Sequence, residues 1–192
     1  MRPVFSALTA VLVLAACADS EAPAPPPATP APAPSGPERA VADLAEVAGS
    51  GVSGTVRFTA LDDAVEIRYD LAGLAAGEHG FHVHRTGDCG ADSTGTPAGA
   101  AGGHFNPLTS EHGAPSAART DRHAGDLGNI EAGPEGRAVG VRVDSVLAFS
   151  GPTSLVGKAV IVHAGRDDLE SQPSGAAGDR VACGVIASGD SE

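Results

Sequence analysis

TVRFTALDDAVEIRYDL, residues 55–71, carries two runs of alternating character separated by a short polar break. In the first run Val56 and Phe58 alternate with Arg57 and Thr59; in the second Val65, Ile67 and Tyr69 alternate with Glu66, Arg68 and Asp70. A period of two places every second side chain on one face, so each run reads as a strand with a buried side and a wet side. The Leu-Asp-Asp-Ala break between them is a turn signal.

The same grammar continues along the chain. AVGVRVDS alternates Val139, Val141 and Val143, a spacing that predicts three valines on the buried face of another strand. KAVIVHAG and RVACGVIAS are short apolar runs rich in β-branched residues. Breaks such as LAGLAAGEHG and EAGPEGR separate them, and no long amphipathic helix is evident. The pattern predicts an all-β fold, an antiparallel sandwich or barrel. Two segments, about 85–127 and 166–179, are too long for hairpin turns and are expected to be functional loops.

Composition narrows the function. The chain has 192 residues and a formal net charge of −12, from 24 acidic and 12 basic side chains. That balance argues against nucleic acid as a partner, because phosphate binding needs a basic surface. A local cationic site for a small anion is still compatible with it. There is no Trp and only one Tyr, so the core is expected to be Val, Ile, Leu and Ala.

The first 16 residues read as an export signal: one Arg, then an apolar run from Val4 to Ala16 too short to span a bilayer. Leu14-Ala15-Ala16-Cys17 resembles a bacterial lipoprotein signal in which Cys17 is lipidated and becomes the first mature residue. Residues 17–37 then form a Pro/Ala-rich tether, extended because proline lacks the backbone donor. The folded domain is expected over 38–192. With Cys17 lipidated, Cys89 and Cys183 remain and are predicted to form one disulfide in an oxidising compartment. The expected location is the periplasm, anchored to a membrane by lipid; Ala18 favours the outer membrane by analogy with enteric lipoproteins.

Seven histidines, none of them in the tether, fall in the folded part. In GFHVHRTGDCG, residues 80–90, His82 and His84 sit two apart and share a strand face, while Phe81 and Val83 point the other way. His163 lies in a second apolar run; His104, His112, His123 and Asp126 lie in the first long loop. Imidazole suits zinc, copper, iron and nickel. Three His and one Asp would make a closed tetrahedral zinc site, and an all-histidine set would hold copper in both oxidation states. Spacing alone specifies neither the metal nor whether two metals adjoin. His79 is read as structural, bonded to nearby backbone.

GFHVH (80–84), AGGHFNP (101–107), HGAP (112–115), RHAGDLGNI (122–130), VIVHAGRDDL (160–169) and GDRVACGVI (178–186) together resemble the copper/zinc superoxide dismutases, in the family's order and over about Val41–Ile186. The cysteine close behind the histidine pair is similar to the exported bacterial branch. The resemblance implies an eight-stranded Greek-key β-sandwich or flattened barrel with two long functional loops. It implies copper on His82, His84, His104 and His163, and zinc on His104, His112, His123 and Asp126, with His104 bridging both. It further implies Asp167 as the acid linking a copper ligand to a zinc ligand, Arg180 as a guanidinium beside copper, and Cys89–Cys183 as the family disulfide. The activity implied is disproportionation of superoxide to oxygen and hydrogen peroxide, with Arg180 and His104 in catalytic roles. The alternative is a non-enzymatic copper/zinc buffer or delivery protein on the same scaffold. Three departures stand out. Gly165 and Pro173 occupy places where many relatives carry anion-guiding lysines, with Arg166 nearby; the His112–His123 interval is longer than in many relatives; and few aromatics are available for a subunit interface, so monomer and homodimer both remain open.

Overall fold

The computed structural model describes residues 39–189. The export signal, Cys17 and the tether lie outside the described residues. The described chain forms nine strands: β1 (Arg39–Glu46), β2 (Ser53–Ala60), β3 (Val65–Ala72), β4 (Gly77–His84), β5 (Asp126–Ala132), β6 (Ala138–Asp144), β7 (Ala159–His163), β8 (Arg180–Val185) and the two-residue β9 (Ala187–Ser188). One turn of 3₁₀ helix, Gly99–Ala101, lies in the first long loop.

All pairings between these strands are antiparallel, in the order β5-β4-β7-β8-β1-β2-β3-β6, with β9 returning to β1. Eight principal strands therefore wrap into a nearly closed barrel. Its two terminal strands, β5 and β6, are consecutive in the chain and joined by a tight turn in which Gly133 N–H donates to Arg137 O at 3.0 Å. The crossing order, with β4 between β5 and β7 and β3 beside β6, is the Greek-key pattern. The core is built as the alternation predicts on β2 and β3: Val56, Phe58, Val65, Ile67 and Leu71 are buried. The Cys89–Cys183 disulfide forms across 94 residues of chain, tying the first long loop to β8. Closing a loop of that length is worth about 4–5 kcal/mol on a chain-entropy model.

Strand β6 reverses its expected face. Val139, Val141 and Val143 are 61%, 53% and 62% exposed, and Ala138, Gly140, Arg142 and Asp144 point inward. The reason is the seam. Arg142 donates to Asn129 O on β5 at 2.7 Å, linking the two strands that have no ladder between them. Its guanidinium also lies 5.7 Å from the Tyr69 ring centre and 5.4 Å from that of Phe81. Gly140 leaves space for the Tyr69 ring, which a Cβ there would strike. Asp144 accepts from the wholly buried Arg122. These inward polar contacts hold the register, and a one-residue slip would put the valines inside and strand two charges outside.

Because the valine stripe is solvent-facing, Val141→Thr should change the unfolding free energy measured by urea denaturation by less than about 0.5 kcal/mol. Ile67→Ala, on the neighbouring inward row, should cost about 2–5 kcal/mol. Equal costs for the two would contradict the reversed face.

Candidate metal centre

The register of the barrel assembles the histidines. His82 on β4 stands opposite Asp126 on β5, and His163 on β7 stands opposite Arg180 on β8. His104 forms an isolated bridge with His84. The first long loop is stitched to β4 beside these positions: Phe105 N–H donates to Val83 O at 2.8 Å, Val83 N–H to Gly125 O at 2.9 Å, and Gly125 N–H to Phe105 O at 2.9 Å. Gly125 permits this approach, since a Cβ there would overlap Val83 O.

Two clusters result. His82, His84, His104 and His163 form one, and His104, His112, His123 and Asp126 the other; within each, the candidate ligand atoms all lie within 4.8 Å of one another. Every member is buried. His104 belongs to both. Its Nδ1 lies 2.7 Å from Asp126 Oδ1, and its Nε2 is buried without a partner.

The outer nitrogens determine which inner nitrogen is left bare. His84 Nδ1–H donates to Gly102 O at 2.8 Å and His163 Nδ1–H to Gly178 O at 2.9 Å. His82 Nε2 and His112 Nε2 meet the two oxygens of Asp167 at 2.7 and 3.0 Å. Correspondingly, His82 Nδ1, His84 Nε2 and His163 Nε2 are buried without hydrogen-bond partners, and His112 Nδ1 has Asp126 Oδ1 3.1 Å away. Unpaired buried nitrogens are costly unless something else satisfies them, and a soft or borderline cation is the group that imidazole lone pairs satisfy. The donor sets fit the two metals. One cluster offers imidazole nitrogens alone; the other offers three imidazoles and a carboxylate, the composition of a closed tetrahedral zinc site. Asp126 is oriented by its other oxygen, which accepts His123 N–H at 2.8 Å and Gly113 N–H at 3.1 Å.

Electrostatics follow from burial. Burial pushes His82 down to about 3, against the pull of the Asp167 hydrogen bond. It pushes His163 down to about 4 and His84 well below its ordinary value. For His104, burial likewise outweighs Asp126 and lowers the pKa. Burial opposes charge on His112 too, but Asp126 and Asp167 outweigh it and lift that ring to about 9. Burial disfavours charge on Asp126 and Asp167, yet the surrounding imidazoles hold both carboxyls well below the usual range.

The structure brings His82, His84, His104, His112, His123, Asp126 and His163 together in the two clusters, and the oxygens of Asp167 lie against the outer nitrogens of His82 and His112. His79 is a backbone clamp: its ring nitrogens lie 2.9 Å from His163 O and 2.9 Å from Ala75 O. Arg180 donates to Ala98 O, and to Gly102 O at 2.6 Å. Burial lowers its pKa from the ordinary guanidinium value, though arginine stays charged across the working pH range. Arg166, by contrast, is ion-paired with Glu78 at 2.7 Å on the surface. The clusters open into a cleft of about 680 Å³ lined by His84, His104, His123, His163 and Arg180 and walled in part by Phe105, Pro107 and Pro173.

Several supporting residues carried no site role in the sequence reading. Arg122, wholly buried, donates to Asp126 O at 3.1 Å as well as to Asp144; a charged residue directly before a candidate ligand was the available signal. Gly175, at φ 69°, leaves room for the Asp167 link, since a Cβ there would overlap Asp167 Oδ1 and lie 2.7 Å from His112 Nε2. Nothing in the local pattern singled out Gly175 among 26 glycines.

The fold and site together define a β-barrel metalloprotein with paired histidine clusters that share one ring. Residues 52–186 match the family described as copper/zinc superoxide dismutase, and the chain belongs to that family. Among solved structures, the crystal structure of the clock protein EA4 is similar at 37% identity, covering 80% of this chain and 96% of that one, with a TM-score of 0.70.

Two outcomes are expected. The metal-free domain should melt at lower temperature as pH falls from 7 to 4. His82 and His163 have depressed folded-state pKa values, so their contribution is full above about 6.5 and is lost as pH falls through about 4 and then about 3. Asp126 and Asp167 act in the same direction. His112, raised to about 9, contributes fully below about 6.5 and loses its contribution as pH rises through 9, so it does not reverse the acid trend. A melting temperature independent of pH over 4–7 would contradict the assignment. Gly175→Ala should weaken metal affinity, measured by chelator competition, by about 10–100-fold through loss of the Asp167 link.

Proposed function

We propose that this protein disproportionates superoxide, converting two superoxide ions and two protons to oxygen and hydrogen peroxide. The observation that carries the reading is the shared ring of His104, which joins an all-imidazole set to a set containing a carboxylate at the end of a cationic cleft. Membership of the family supports the same reading.

In this reading copper would be held by His82 Nδ1, His84 Nε2, His104 Nε2 and His163 Nε2, and zinc by Nδ1 of His104, His112 and His123 with Asp126 Oδ1. Copper supplies the one-electron redox chemistry when bound, and zinc, which has no accessible redox change, supplies none. The chain does the rest. Arg180 presents a guanidinium held by two backbone carbonyls, which orient it for an incoming anion. His104 is tied at Nδ1 beside Asp126, which leaves Nε2 as the atom that would hold copper in one state and, when not bound to it, a proton for the peroxide product. Asp167 keeps the His82 and His112 rings from rotating. The buried walls exclude bulk water from the nitrogens.

We also place the protein outside the cytoplasm, lipid-anchored through Cys17. The Leu-Ala-Ala-Cys motif and the Pro/Ala-rich tether support that placement, as does a disulfide, which persists in oxidising compartments.

Elemental analysis and a dismutase assay on one preparation test the activity. Copper and zinc together with turnover are expected. Bound metal without turnover would instead mark a metal-holding protein. Arg180→Ala should leave metal content unchanged and lower the rate at least about tenfold, as loss of an electrostatic group in a dry site does; an unchanged rate would remove Arg180 from the mechanism. Cys17→Ser should release the protein from membranes.

A further inference from the structure

Among the described residues, six of the seven in the clusters have a main chain that lies on a strand or is tied to a strand residue. His82 and His84 stand on β4, His163 on β7 and Asp126 on β5. His104 is bridged to His84, and His123 N–H donates to Asp126 Oδ2 at 2.8 Å. His112 is the exception. It lies in a stretch, residues 109–114, that forms neither strand nor helix. Its ring is buried, so the position of its main chain decides where Nδ1 sits among His104, His123 and Asp126.

A side chain from the other long loop holds that main chain. His112 N–H donates to Gln172 Oε1 at 2.8 Å, and Gln172 Nε2–H donates back to His112 O at 2.9 Å. A carboxamide offers one acceptor and one donor side by side, the same pair that a neighbouring strand offers to a residue in a ladder. Gln172 therefore stands in for a ladder partner where the barrel provides none. Only one orientation of its amide satisfies both groups.

The turn that carries Gln172 is itself tied down. Asp168 Oδ1 accepts Glu170 N–H at 3.0 Å and Ser171 N–H at 2.8 Å, and Gly175 N–H donates to Ser171 O at 2.7 Å. The loop between β7 and β8 thus grips His112 twice: at ring Nε2 through Asp167, 3.0 Å away, and at the main chain through Gln172. Asp167 also reaches His82, whereas the other hydrogen bond of Gln172 goes to Glu170 O at 3.3 Å. Gln172 is exposed and His112 is buried. Water can replace the amide as a hydrogen-bond partner, but it does not fix where the main chain lies.

We propose that Gln172 is a positioning residue for the carboxylate-containing set. By holding the main chain of His112, it makes metal affinity at that set, and not at the all-imidazole set, depend on the loop between β7 and β8. Naming zinc as the metal rests on the function proposed above; the clamp itself does not.

Experiments on the full chain test this. Hydrogen exchange at the His112 amide of the metal-free protein, read by NMR, should speed about five- to tenfold in Gln172→Ala. Zinc affinity, measured by chelator competition, should fall about tenfold in Gln172→Ala. It should fall less in Gln172→Glu, which keeps the acceptor for His112 N–H and loses the donor to His112 O. Copper affinity of the zinc-free protein should not change. Cobalt(II) bound in place of zinc should show altered visible bands in Gln172→Ala, a signature that lower global stability alone would not move. Unchanged exchange at the His112 amide overturns the clamp. Unchanged zinc affinity, or an equal fall for copper and zinc, overturns the positioning role. If the unmodified protein takes up no zinc, the metal assignment of the proposed function falls, and amide exchange still decides whether the clamp exists.

Discussion

Each imidazole at the centre has two nitrogens, and in four of the six rings a group outside the clusters takes one of them. Backbone carbonyls of Gly102 and Gly178 take the outer nitrogens of His84 and His163, and Asp167 takes those of His82 and His112. What remains is a set of bare nitrogens, buried and aimed inward. Without a cation such an arrangement is a desolvation cost with nothing to offset it. The rest of the architecture serves to keep those rings from turning: β4 between β5 and β7, the first loop stitched to Val83, and the glycines that let backbone and carboxylate come close.

A second constraint acts on His112, whose main chain is neither on a strand nor tied to a residue of one. Asp167 holds its ring and Gln172 its main chain, both from the loop between β7 and β8. The carboxylate-containing set is therefore supported by a loop that contributes no member to it.

Strands β2 and β3 were legible in the sequence because their burial follows their alternation, and β7 because its run is apolar throughout. β6 was legible as a strand but not in its orientation. The valines look like the inward row by hydropathy, yet Arg142 is needed at the seam and Asp144 is needed by Arg122, and the polar contacts decide. Strand β5 hid within the end of a segment read as loop, since its ligand-bearing start, Asp126-Leu127, does not alternate. The metal-site residues were found by motif and resemblance rather than by periodicity, and Gln172 was passed over because its partner His112 lies 60 residues away in the chain.

Residue order by itself determined the kinds of donor available, the strand-rich fold class, the two cysteines left to pair and the acidic balance of the chain. These are properties of composition and local pattern, which short-range sterics and solvation act on directly. Only tertiary structure decided which nitrogen of each ring is bare, which face of β6 is wet and which loop holds His112. Those depend on partners far away in the chain, as His82 and Asp167 are at a separation of 85, and on cross-strand register, which no local window contains.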